Sequence, residues 1–242
     1  MQENDFRHLL HLRRIPIGLL AVFCLLPLLG QAQWNQTDHD TKKYYFGITL
    51  AYNQAHFHVD QSSYFLKQDT VLGVQPTYSS GFDLGLLGNL RLNNRFDLRI
   101  NPSLIFAEKN LQYLVNQDSS KSNVYQNIES VIVSLPLQVK FKSDRINDFR
   151  VYAIAGMKMD YDLSSNSRAK RGENLIMIHS LDWGYEAGIG FEFYLPSFIF
   201  SPEIKISNGL GNLLIGNHGF VYSNVVQRLT SRMVILSIHL EG

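Results

Sequence analysis

Apolar and polar side chains alternate along most of the chain after residue 43, with the two-residue period of an extended strand. In the stretch 131–141, every odd position is aliphatic or aromatic, whereas Ser134, Gln138 and Lys140 lie on the other face. The same alternation recurs in seven further segments. It predicts eight β-strands, at 44–52, 82–92, 96–106, 131–141, 149–163, 183–193, 198–206 and 234–240.

The length of these strands indicates which solvent surrounds them. Most span about 9–15 residues, whereas strands of soluble proteins usually have about 5–6 and a strand that crosses a bilayer needs about 9–11. The lengths therefore favour an all-β fold, an eight-stranded antiparallel transmembrane β-barrel of the bacterial outer membrane. A secreted β-sandwich also alternates in this way and is the competing interpretation.

The connections and the aromatic residues support the barrel. Connections at 93–94, 143–148 and 196–197 are short, and those near 59–77, 115–127, 164–180 and 208–230 are long. Outer-membrane barrels have short periplasmic turns, longer external loops and an aromatic girdle at each interface. We expect Tyr44, Phe46, Phe96, Phe141, Phe149, Phe193, Phe198 and Phe200 at the short-turn interface, and Phe82, Phe106, Tyr161, Trp183 and Tyr185 at the other.

The inward faces of the predicted strands carry many charged residues of both signs. A barrel of eight strands has an interior just wide enough for side chains to fill it, and buried charges must be paired. We therefore expect a polar network in the lumen, with an ion or substrate path as the alternative. Its candidate residues are Arg91, Asp97, Arg99, Lys140, Lys158, Asp160, Glu186, Glu192, Glu203 and Lys205.

The first 32 residues resemble a secretory signal peptide. Arg7, Arg13 and Arg14 precede an apolar stretch at 15–29, which Gly30-Gln31-Ala32 follows. A basic region, a short apolar region and small residues three apart are the marks of such a leader. We predict cleavage after Ala32, with an uncleaved anchor as the alternative. The domain organisation is then a signal peptide at 1–32, a short periplasmic segment at 33–43 and the barrel at 44–242.

Composition excludes several classes of protein. Lys and Arg number 22 against 21 Asp and Glu, and loss of the leader would leave equal numbers of each. This balance argues against a nucleic-acid partner. The single cysteine, Cys24, lies in the leader, so neither a disulfide framework nor a zinc knuckle can form. The chain has no G-x-G-x-x-G spacing and no Walker pattern, so we expect no cofactor.

One segment resembles a catalytic site, but only loosely. His179, Ser180 and Asp182 fall near the predicted outer rim, where a lipid-modifying hydrolase would keep such residues. Adjacent residues on an extended strand face opposite ways, which separates His179 from Ser180. We therefore assign no catalytic residue and expect that the protein is not an enzyme.

Two other groups of predicted rim residues could bind a ligand. His56, His58 and Asp60 share one strand face and could contact a metal ion, but no fourth ligand is evident, so we assign no metal site. The basic stretch 168–171 could contact the phosphates of lipopolysaccharide, although a solvated loop is the simpler interpretation.

Several segments resemble one family of barrels. VSLPLQVK at 133–140 is similar to the proline-containing strand of an outer-membrane β-barrel family that is common in bacteria with type IX secretion. YAIAG at 152–156 resembles the next strand of that family, and the stretches 184–192 and 203–213 resemble its later strand and exit. The stretches 95–113 and 140–165 resemble the PorT branch.

The resemblance implies a function that composition and spacing do not. A PorT-like chain would be a non-enzymatic component of the type IX secretion machinery, needed for export of cargo proteins and acting by contact or assembly rather than as the conduit. Its expected partners are outer-membrane lipid and lipopolysaccharide together with other secretion proteins, without a small-molecule substrate. The alternative is a generic small outer-membrane barrel that serves as a structural protein, an adhesin or a narrow channel.

Overall fold

A computed structural model describes residues 42–62, 71–117, 120–164, 177–215 and 226–242. The predicted leader, its cleavage site after Ala32 and nearly all of the segment 33–43 lie outside these residues, as does the basic stretch 168–171. No helix among the described residues has the length and apolar character needed to cross a membrane.

The described residues form antiparallel β-structure. The strands are β1 (Tyr44–Gln61), β2 (Val71–Thr77), β3 (Ser79–Arg91), β4 (Phe96–Ile100), β5 (Ser103–Gln117), β6 (Ser120–Lys142), β7 (Phe149–Asp162), β8 (Met177–Ile178), β9 (Leu181–Tyr194), β10 (Ile199–Gly209), β11 (Leu214–Ile215) and β12 (Val226–Glu241). The two-residue strands β8 and β11 pair only with each other.

The other ten strands close into a ring, because β1 pairs with β12 on one side and with β3 on the other. The order is β1, β12, β10, β9, β7, β6, β4 with β5, and β3 with β2. Pro102 lies between β4 and β5, where it cannot donate to the ladder, and its carbonyl accepts the N–H of Leu86 at 2.9 Å. Counting β4 with β5 and β2 with β3 gives eight places, which confirms the predicted eight-stranded barrel.

The lower part of the barrel, at the end with the short turns, presents an apolar outer surface. Along β1 the exposed fractions are 57% for Tyr44 and 49% for Leu50, and Leu236 on β12 is 55% exposed. The predicted short-turn girdle contains ring contacts between Phe96 and Phe141, whose centroids lie 5.1 Å apart. Such exposure suits lipid rather than water as the surrounding solvent.

The predicted boundaries of three long loops are wrong. β1 continues to Gln61, β5 and β6 leave only residues 118 and 119 between them, and β12 begins at Val226. The strands therefore extend into the predicted loops near 59–77, 115–127 and 208–230. Above the lipid-facing part, the apolar residues change from the outward to the inward side of each strand. The two-residue alternation changes phase there, so the pattern in the sequence breaks at that point.

The upper part of the barrel has the opposite polarity from the lower part. On β1, Gln54 and His58 point outward and are exposed, whereas Ala55 and Phe57 between them are fully buried inside. The inward residues form two apolar clusters: Ala55, Ile105, Ala107, Ile132, Met233 and Ile235; and Phe57, Val74, Leu111, Tyr113, Val115, Ile128, Leu213, Val226 and Leu229. This pattern is that of a water-soluble barrel, so the upper strands stand outside the lipid.

Candidate functional site

An ion pair crosses the lumen in the lower part of the barrel. Arg99 Nη1 lies 2.7 Å from Glu203 Oε2, and both side chains are buried. Arg99 is on β4 and Glu203 is on β10, four places apart in the ring of eight. The pair therefore joins opposite walls. Tyr152 Oη also donates to Glu203 at 2.9 Å, and Glu241 Oε1 lies 3.6 Å from Arg99 Nη2.

Lys140 contributes a second positive charge to the same layer of the lumen, the one that contains Arg99 and Glu203. Lys140 Nζ forms an ion pair with Glu192 and lies 3.7 Å from Glu241 Oε1 on the opposite wall. Glu192 also accepts a hydrogen bond from Tyr194 Oη at 2.7 Å. The ring of Tyr152 lies beneath the ammonium group of Lys140, with 4.2 Å between the nitrogen and the ring centroid. Each charge in this layer thus has an opposite charge or a hydroxyl beside it.

Polar contacts continue above and below this layer. Toward the short turns, Asp97 binds Lys142 at 2.7 Å and accepts from Tyr45 Oη at 2.5 Å. Toward the opposite end of the barrel, which carries the long hairpins, Lys205 Nζ lies 3.2 Å from Glu186 Oε2. These contacts extend the network along the axis of the lumen.

A further ion pair lies nearer the long hairpins. Lys158 Nζ lies 2.5 Å from Asp160 Oδ2, and Ser134 Oγ donates to Asp160 Oδ1 at 2.6 Å. The pair lies below the apolar cluster that includes Ile132. The filled cross-section therefore passes from ionic to apolar toward the long hairpins.

Nine of the ten predicted lumen residues lie in the ion pairs described above. The other residue, Arg91, lies at the short-turn mouth, where its guanidinium is 5.9 Å from the ring centroid of Tyr45. Sequence reasoning omitted Lys142 from the candidates because the predicted strand ended at Phe141. The parity of Lys142, which follows Lys140 by two residues, was the available signal.

The predicted rim residues lie in two separate places. His179, Ser180 and Asp182 border a small cavity of about 20 Å³ beside the buried Lys109. Asp182 Oδ1 accepts the N–H of Gly211 at 3.2 Å, which fastens the β9 strand to the segment after β10. This contact gives Asp182 a structural partner on the backbone.

His56, His58 and Asp60 point outward from β1, above the lipid-facing surface. His58 Nε2 lies 3.5 Å from Asp60 Oδ1. Burial, reinforced by the positive charge of Arg232, lowers the pKa of His56 below its ordinary value. Over the described ranges, no group of three or more His, Cys, Asp or Glu side chains is placed to hold a metal ion.

The same outer surface contains an open cleft of about 380 Å³. It lies above the lipid-facing parts of β1, β12 and β10, and its lining residues are His58, Asp60, Tyr185, Asn208, Gly209, Leu210, Arg228, Thr230 and Arg232. Arg228 Nη2 donates to the carbonyl of Leu210 at 2.8 Å, and Asn208 Nδ2 donates to Tyr185 Oη at 3.1 Å. We call it the Arg228–Arg232 cleft. The alternation pattern places the stretch 208–230 in a loop, so the sequence alone does not reveal this cleft.

A second cleft, of about 310 Å³, lies at the short-turn mouth. Its lining residues are Arg91, Asn94, Lys142, Ser143, Asp144, Arg145 and Arg150. The cations here are engaged within the protein: Arg145 binds Asp148 at 3.0 Å, and Arg150 Nη1 donates to Tyr194 Oη at 2.9 Å. The mouth therefore carries a net positive charge, and these contacts hold its cationic side chains in place.

Comparison with protein families identifies the barrel. The family model described as "Outer membrane protein beta-barrel domain" matches residues 31–214. The chain belongs to this family. No curated protein matches it.

Several solved structures of outer-membrane proteins show a similarity to this chain. OprG from Pseudomonas aeruginosa is 13% identical over 82% of this chain and 92% of its own, with a TM-score of 0.44. Neisserial surface protein A is 12% identical over 82% of this chain and 97% of its own, with a TM-score of 0.41. Ail of Yersinia pestis, in complex with the heparin analogue sucrose octasulfate, is 13% identical over 83% and 100%, with a TM-score of 0.38.

Membership of this outer-membrane family places the barrel in the bacterial outer membrane. In such barrels the short turns face the periplasm and the long connections face outward. From this general rule we expect the apolar clusters and the Arg228–Arg232 cleft at the external end, and the basic mouth at the periplasmic end.

Proposed function

We propose that this protein acts through contacts made by its surface, as a small outer-membrane barrel whose lumen serves as a structural core. One observation carries the proposal: the Arg99–Glu203 ion pair joins opposite walls of the lumen. A substrate would have to break this pair and then pass the apolar clusters above it. Leaving either partner buried alone costs about 3–5 kcal/mol. This cost disfavours the narrow-channel version of a generic barrel.

Within this class, we propose a role in type IX secretion. The resemblance of the stretches 95–113 and 140–165 to the PorT branch supports this role. A filled lumen is compatible with it, because a component that assembles or positions a larger translocon needs no passage of its own. The role is non-enzymatic and needs no cofactor. Export of the barrel itself would use the leader at 1–32.

The proposed partners follow from the exposed surfaces. Lipid and lipopolysaccharide cover the apolar outer face, and other secretion proteins would contact the rims, since interface residues tend to lie on loops held by a rigid scaffold. The basic periplasmic mouth around Arg91 and Arg150 offers an acidic protein segment a complementary charge.

Two measurements test the two levels of this proposal separately. Purified full-length protein in planar bilayers should show no steady conductance, whereas stable single-channel openings would contradict a surface role. Deletion of the gene should leave type IX cargo in the periplasm, with the uptake of small solutes unchanged. Normal cargo at the cell surface would reject the PorT-like role and leave a generic structural or adhesive barrel.

A further inference from the structure

The Arg228–Arg232 cleft lies where the outer surface changes from apolar to polar. On β12, Val234 is 42% exposed on the lipid-facing side, and Arg232 is the next outward residue above it. On β10, Ile206 and Asn208 stand in the same relation. One outward position corresponds to about 7 Å along a strand. The Arg232 side chain is therefore at the depth of the lipid headgroups.

The charges of the cleft favour an anion. Arg228 and Arg232 contribute two positive charges, and Asp60 contributes the one carboxylate among the lining residues. That carboxylate lies 3.5 Å from His58. Within the part of the chain that the structure describes, neither arginine forms an ion pair, and the Arg232 side chain makes no hydrogen bond. Guanidinium groups bind phosphate oxygens through paired hydrogen bonds.

The cleft is preformed by contacts among its walls. The hydrogen bond from Arg228 to the Leu210 carbonyl joins β12 to the segment after β10, and Leu210 N donates to the Trp183 carbonyl at 2.7 Å. Asn212 Oδ1 accepts the N–H of Leu229 at 3.0 Å. A fixed wall lowers the ordering cost of binding. Its volume of about 380 Å³ is in the range of sites that hold small ligands, about 300–1,000 Å³.

We propose that the Arg228–Arg232 cleft binds a phosphate group of the outer-leaflet glycolipid. The phosphate lies against the two guanidinium groups, and the acyl chains of the same molecule run down over Ile206 and Val234. Leu210, which is 51% exposed beside the arginines, covers part of the attached sugar. A free phosphate would use the same guanidinium groups but gain nothing from this apolar surface. The proposal is independent of a role in secretion and needs only that the long hairpins face outward.

The test uses the folded full-length protein in neutral detergent micelles. The probes are bisphosphorylated lipid A, dephosphorylated lipid A and inorganic phosphate, with affinities measured by native mass spectrometry or thermophoresis. We expect wild-type protein to bind bisphosphorylated lipid A at least about tenfold more tightly than the dephosphorylated form, since charge-assisted hydrogen bonds are lost. The single variant Arg232→Gln should bind bisphosphorylated lipid A about tenfold more weakly than the wild type. The double variant Arg228→Gln with Arg232→Gln should show a loss of affinity of at least this size.

A matched control separates local binding from total charge. Lys43→Gln with Arg95→Gln removes two positive charges at the periplasmic end and should leave the affinity for lipid A unchanged. Because the Arg232 side chain makes no hydrogen bond to described residues, Arg232→Gln should fold, and its heat-modifiable migration on gels checks this. Unchanged binding by Arg232→Gln, or equal binding of both lipids, would overturn the proposal. Displacement by inorganic phosphate at an equal concentration would assign the cleft to free phosphate and reject the lipid.

Discussion

The phenol ring of Tyr152 occupies the space that a side chain on Gly190 would need. A Cβ atom on Gly190 would overlap the ring carbon and the hydroxyl oxygen of Tyr152, and would lie 2.9 Å from the Pro202 carbonyl. The glycine on β9 therefore allows the tyrosine on β7 to reach Glu203 on β10. The absence of one side chain in the wall makes the contact between the other two possible.

We predict that Gly190→Ala displaces Tyr152 and weakens its hydrogen bond to Glu203. The expected loss is about 1–3 kcal/mol of the free energy of unfolding, as for other overpacked sites. Urea unfolding in lipid vesicles measures it.

Two further variants control this prediction. Gly73→Ala should be tolerated, because its Cβ would lie 3.9 Å from Leu114 Cβ, an ordinary contact. Combining Gly190→Ala with Tyr152→Ala removes the overlap, so the double variant should lose less than the sum of the single losses. Strict additivity would show that Tyr152 is not the group displaced.

The cross-lumen pair predicts a large loss of stability for Arg99→Ala. The change leaves Glu203 and Glu241 buried without their guanidinium partner, and broken buried pairs typically cost about 3–5 kcal/mol. The unfolding temperature from heat-modifiable gel migration should fall. Arg95→Ala is the matched control: Arg95 pairs with Asp144 at 3.2 Å, both side chains are largely exposed, and such pairs contribute about 1 kcal/mol or less. Equal effects of the two variants would argue against an internal network.

The reversal of polarity predicts that two phenylalanines on β1 respond differently to truncation. Phe57 is fully buried in the upper apolar cluster, so Phe57→Ala should leave a cavity and cost about 3–5 kcal/mol. Phe46 is 69% exposed on the lipid-facing side. Phe46→Ala should cost less, because lipid chains can fill the vacated space. Unfolding in vesicles compares them, and a larger loss for Phe46→Ala would contradict the assignment of the two solvents.

The orientation of the barrel predicts which sites are accessible in intact cells. A short epitope inserted between residues 118 and 119, where β5 and β6 meet, should be cleaved by external protease. The same epitope at Arg145, in a short turn, should be cleaved only after the outer membrane is permeabilised. External cleavage at Arg145 would reverse the assigned orientation.

The candidate site was partly predictable because it depends on parity. Lys140, Glu192 and Glu203 could be assigned to the inward face, since alternate residues of a strand share a face. Parity does not say which charges meet. That Lys140 faces Glu192 and Arg99 faces Glu203 depends on register and on which strands lie opposite in the ring. Register arises from pairings between residues far apart in the chain, such as Gly47 with Glu241.

The sequence by itself determined the class of fold, the number of strands and their inward and outward faces, because a two-residue period and strand length are local properties. Only the tertiary structure decided where the membrane ends. At Ala55 and Phe57 the apolar side turns inward while Gln54 and His58 turn outward. Either alternation is compatible with a strand, and only the closed ring shows whether lipid or water lies outside. The same closure brings Arg228 and Arg232 beside Asn208, a cleft that no single segment contains.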